Sequence, residues 1–195
     1  IYKYGPIEGW DTSEIVNMVF LFDGMTQFNK DISNWDVSKV KYMSYMFRNA
    51  DNFNQPIGKW DVSNVEEMVH MFHAAYTFNQ PLGKWNVSSV TDMGCMFYEA
   101  ISFNQPIGEW NVSQVTYMNR MFQGCFVFNQ SLQNWNVSNV IKMNAMFFSC
   151  HLFNQCLEDW DVSSVVNLSD MFNRATSFNQ PLGKWNLSKV KLMDF

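Results

Sequence analysis

The chain is short of charge. Lys, Arg, Asp and Glu make up 16% of its 195 residues, a low share for a soluble domain. The 13 basic residues are outnumbered by 18 acidic ones, the net charge is −5, and no basic stripe forms. That excludes nucleic acid as a partner, because its affinity needs clustered Lys and Arg. No apolar run reaches the ~18 residues of a membrane-spanning helix, so nothing in this segment inserts into a membrane. Only three histidines occur, His70, His73 and His151. His70 and His73 stand three apart, a spacing that would put both on one helical face. No acidic or cysteine ligand accompanies them in step, so no metal is assigned, and no cofactor is implied.

What is abundant is repetition. Trp10, Trp35, Trp60, Trp85, Trp110, Trp135, Trp160 and Trp185 recur every 25 residues without insertion or deletion. A period of this size marks a stack in which each repeat is one turn of structure. The reading is therefore one repeat domain over 1–195, nearly eight coils. It starts at Ile1 and stops at Phe195, part-way through a coil, which reads as a fragment of a longer chain.

Comparing the coils with one another separates core from surface. Val90, Met93, Met96, Phe97, Ala100 and Phe103 are apolar, as are Val40, Met43, Met46, Phe47, Ala50 and Phe53. Steps of three and one describe one face of a helix or a chain of tight helical turns. Ser38, Ser63, Ser88 and their equivalents stand where a helix N-cap belongs, and Ser63 with Glu66 spells a capping box. Eight such serines with no histidine in step are not nucleophiles, so no catalytic residue is assigned. Asn29, Asn54, Asn79, Asn104, Asn129, Asn154 and Asn179 are constant between core positions. They suggest a buried ladder, each amide bonding the backbone of the neighbouring coil. Pro56, Pro81, Pro106 and Pro181 fit a strand start or bend, so a short parallel strand is expected between the Gln and the Val of each coil. The fold expected is an α/β solenoid: a right-handed stack of 25-residue coils, each with a short parallel strand and a short helical segment.

The coil motif W-[DN]-V-S-x-V-x-x-M-x-x-M-F-x-x-A-x-x-F-N-Q-P-[IL] covers essentially the whole chain. It resembles the mycoplasma-type 25-residue surface-protein repeat, a domain of unknown function allied to the BspA-like leucine-rich-repeat surface proteins. Departures fall at Lys3, at Lys30 and Asp31, and at Cys156. The resemblance implies a leucine-rich-repeat-like solenoid, extracellular or at the cell surface, used in adhesion or recognition. It implies no enzymatic activity and no particular ligand.

Several columns of equivalent residues are candidates for function. After each Trp stands Asp or Asn, suited to a turn. Stacked carboxylates there would suit calcium, but Asn replaces Asp in half the coils. Asn86, Asn111, Asn136 and Asn186 each head an N-x-Ser sequon, as do Asn129 and Asn167. The first four are candidate glycosylation sites, although the same pattern arises from the repeat itself. Cys125 and Cys150 occupy equivalent positions one coil apart. A disulfide is expected between them, with packed thiols in place of the small core Ala as the alternative. Two residues before the second Phe, the column Thr26, Asp51, Tyr76, Ile101, Phe126, His151 and Thr176 turns apolar in the middle coils. Val127 and Leu152 extend it. Tyr76, Ile101, Phe126, Val127 and Leu152 are the candidate partner-binding strip if exposed; otherwise they tuck beneath the next coil.

The function expected is a non-enzymatic surface protein that recognises a protein or a glycan. The alternative is a structural subunit whose copies join end to end into a filament or stalk.

Overall fold

The computed structural model describes residues 5–194. The readings made at Ile1, Lys3 and Phe195 lie outside them. Successive 25-residue coils stack in strict register, joined by parallel backbone pairs from Asn17↔Tyr42 to Asn167↔Leu192. The core expected from the periodicity is buried: Val90, Met93, Met96, Phe97, Ala100 and Phe103 expose nothing to solvent, nor do their equivalents from Val40 to Phe53.

The expected α/β solenoid is not what these coils build. Among the described residues the only helix is one 3-10 turn, Ile7–Gly9. Each parallel contact is a single residue pair, not a strand in a sheet. It also falls after the second Val of the motif, whereas the expected strand lay before the first. With no α-helix and no sheet among the described residues, the right-handed leucine-rich-repeat-like solenoid is overturned as the architecture. The coil is instead a succession of tight turns.

The coil that starts at Trp85 shows why. Met96 donates its N–H to the Met93 carbonyl, Tyr98 to Cys95, Ala100 to Phe97, and Phe103 to Ala100. These are bonds across three residues, which close a turn and not an α-helical ring of four. The steps of three in the apolar pattern record that period. The intervening donors point out of the coil. Met93, Cys95, Phe97 and Glu99 donate to the carbonyls of Tyr117, Asn119, Met121 and Gln123 in the next coil. A helix would need all of these N–H groups for itself.

Two columns make the alternation possible. Phe20, Tyr45, His70, Cys95, Arg120, Ala145 and Asp170 have φ between 53° and 61°. So do Asn49, Ala74, Glu99, Ser149 and Arg174, in the column that holds Gly24 and Gly124. Positive φ at the third residue of a turn defines the type II form, where glycine is the natural occupant. Most coils place an ordinary side chain there, at a cost of about 1–2 kcal/mol each. Burial of the aromatic columns offsets it.

Those columns are continuous. Phe97 stacks on Phe103 of its own coil at 4.0 Å, and on Phe72 and Phe122 at 5.5 and 5.7 Å. Trp110 lies parallel to Trp85 and Trp135 at 6.5 and 6.4 Å. Each indole N–H, from Trp35 to Trp185, donates to a carbonyl of the preceding coil, as Trp110 does to Leu82 at 3.0 Å. The tryptophan therefore fills the core and satisfies a backbone acceptor at once.

The serine N-cap reading is also corrected, since no helix follows. The acceptor is the residue after Trp. Oδ1 of Asp11, Asp36, Asp61, Asn86, Asn111, Asn136, Asp161 and Asn186 takes the N–H of the serine two residues on, at 2.9 to 3.2 Å. Either side chain supplies that oxygen, which accounts for the exchange of Asp and Asn between coils. Glu66 closes no capping box and pairs with Lys41 of the previous coil at 2.8 Å.

Substitutions in the Gly24 column test the turn geometry. A Cβ on Gly24 would meet no atom within 4 Å, so Gly24→Ala isolates the conformational term and should lower stability by about 1–2 kcal/mol. Ser149→Gly at the equivalent position should raise it, by up to about 1 kcal/mol. Urea midpoints of the two variants decide the matter; equal and small shifts would mean the left-handed turns are not formed.

Candidate functional site

The strip read from the sequence is divided by the structure. Phe126 (41% exposed), Tyr76 (38%), Val127 (37%) and Leu152 (52%) are on the surface. Ile101 is half-buried between Tyr76 and Phe126. Tyr76, Ile101 and Phe126 line a groove of about 330 Å³. Val127 and Leu152 lie outside it. Phe126 stacks face to face on His151 at 4.9 Å, which extends the aromatic surface by one coil.

Five further residues line the groove that the sequence reading did not include: Glu99, Gln123, Gly124, Phe148 and Ser149. Glu99 and Ser149 reach it because their backbones are left-handed, at φ 55° and 56°. Gln123 and Phe148 come from the column beside them. The Tyr98 hydroxyl bonds the Glu99 carboxylate and sits 3.5 Å from Gln123 Nε2. Gln123 Oε1 is buried without a hydrogen-bond partner, the one such side-chain atom among the described residues.

A second cluster lies on the same face. His70 Nδ1 and His73 Nδ1 are 2.7 Å apart, so one ring donates its proton to the other. The pair is half-buried between Tyr45 and Tyr98, whose rings stack on it at 4.8 and 4.5 Å. Burial pushes the His70 pKa down to about 4, with the His73, Arg48 and Arg120 charges adding to the effect. Burial lowers His73 as well. Among the described residues no three His, Cys, Asp or Glu side chains gather where they would hold a metal ion.

The asparagine ladder exists but is not buried. Asn29 Oδ1 accepts the backbone N–H of Asn54, and the pattern repeats up to Asn154 and Asn179, at 2.9 to 3.0 Å. The same oxygens accept Nε2 of the following glutamines. Asn29, Asn129 and Asn179 are exposed, and Asn54, Asn79, Asn104 and Asn154 half-buried. The side chain sits at the edge of the stack, where it stands in for a backbone carbonyl, so the expected burial is corrected.

The Cys125–Cys150 disulfide is likewise overturned. All four cysteines are free thiols. Cys125 Sγ donates to the Phe97 carbonyl and Cys150 Sγ to that of Phe122, each at 2.9 Å. Both take the place of the core Ala and point at the preceding coil, not at each other. Burial holds both thiols far above the usual range and pushes Cys95 up to about 11. Cys95, Cys125 and Cys150 are therefore not reactive thiolates. The candidate glycosylation residues Asn86, Asn111, Asn136 and Asn186 are exposed. Their Oδ1 atoms are held by the serine N–H groups of their sequons.

The histidine pair carries a pH signature. His70 has an ordinary pKa of 6.5 when unfolded and about 4 in the fold. Between those values the unfolded chain binds a proton that the folded chain refuses, so stability falls as pH drops from 6.5 toward 4. His70→Asn keeps a side chain that tolerates positive φ and cannot titrate. Its urea midpoint should fall less than that of the parent over the same pH window; parallel profiles would show that the pair is hydrated.

The family model that matches is described as Mycoplasma protein of unknown function, DUF285. It matches three overlapping stretches, residues 2–107, 55–151 and 96–195. No curated protein matches the chain. No helix among the described residues is long and apolar enough to cross a membrane. With the three matches spanning almost its whole length, the chain belongs to the DUF285 family of Mycoplasma proteins of unknown function.

Proposed function

We propose that this chain is a non-enzymatic recognition module, extracellular or at the cell surface, that binds a protein or glycan partner through the Tyr76–Leu152 face. The observation that carries this reading is the contrast between framework and surface. The repeated side chains are consumed in core columns and inter-coil bonds. The variable columns place Tyr76, Phe126, Val127 and Leu152 together on the surface. Exposed aromatic groups on a rigid scaffold are where interfaces concentrate binding energy, and exposed apolar groups beside a groove make a surface fit for contact.

Phe126→Ser tests this. Binding of the purified chain to a glycan array and to immobilised copies of itself should weaken at least about tenfold, as loss of an aromatic anchor does. The melting temperature should stay nearly unchanged. A lowered melting temperature with association intact would show that Phe126 belongs to the core.

A further inference from the structure

We draw no further inference here: the strongest candidate, the His70–His73 pair held between Tyr45 and Tyr98, belongs to the cluster already described, where each Nδ1 is taken by the other ring and no third metal-ligating side chain stands beside them among the described residues.

Discussion

The stack depends on one constraint: the N–H groups of each coil are shared alternately between its own turns and the next coil. Met96, Tyr98 and Ala100 donate inward, while Met93, Cys95, Phe97 and Glu99 donate onward. Neither set suffices alone. A lone coil would leave half its donors without partners, and a buried backbone group left unpaired costs as much as a lost hydrogen bond. Coils therefore hold one another in place, and the exact 25-residue register follows. Any inserted residue would turn onward donors inward and break the contacts on both sides. The sharing in turn demands left-handed backbone at Cys95 and Glu99, so strain and cohesion arise from the same geometry.

Much of this was legible in the sequence, and the failure has a definite cause. Val90, Met93, Met96, Phe97, Ala100 and Phe103 were identified as core by recurrence alone, and all are fully buried. Their steps of three were compatible with a helix face and with tight turns. Nothing in the side chains marks positive φ when Tyr45, His70 and Glu99 occupy sites where glycine is the usual signal; only Gly24 and Gly124 hint at it. The helix expectation therefore failed at residues whose conformation is imposed by neighbouring coils and not by local propensity. The same blindness misplaced the parallel contact. A single residue pair at Tyr42 or Glu67 is too short to leave a strand-like alternation.

The candidate site was legible column by column and not across columns. Tyr76, Ile101 and Phe126 stood out because equivalent positions elsewhere are Thr, Asp and His. Glu99, Gln123 and Phe148 belong to other columns, and the left-handed turn brings them to the same groove. The cysteines show the complementary error. Cys125 and Cys150 are adjacent coil equivalents, so distance favoured a bridge. Direction decided otherwise, since each thiol points at a carbonyl one coil back.

The separation between framework and variable columns also explains how such a stack acquires different surfaces without refolding. Asn104 bonds Asn129 and Gln130, Trp110 bonds Leu82, and Phe97 stacks on both neighbours. None of these contacts involves Tyr76, Phe126 or Gln123. The columns outside the core need only tolerate positive φ or accept solvent, and one of them holds Tyr45, His70, Cys95, Arg120, Ala145 and Asp170 in succession, some exposed and some buried. The stack therefore presents a row of side chains spaced by one coil, whose chemistry is set residue by residue. Where the rings of neighbouring coils stand beside a left-handed turn, as Tyr76 and Phe126 do beside Glu99, that row becomes a groove.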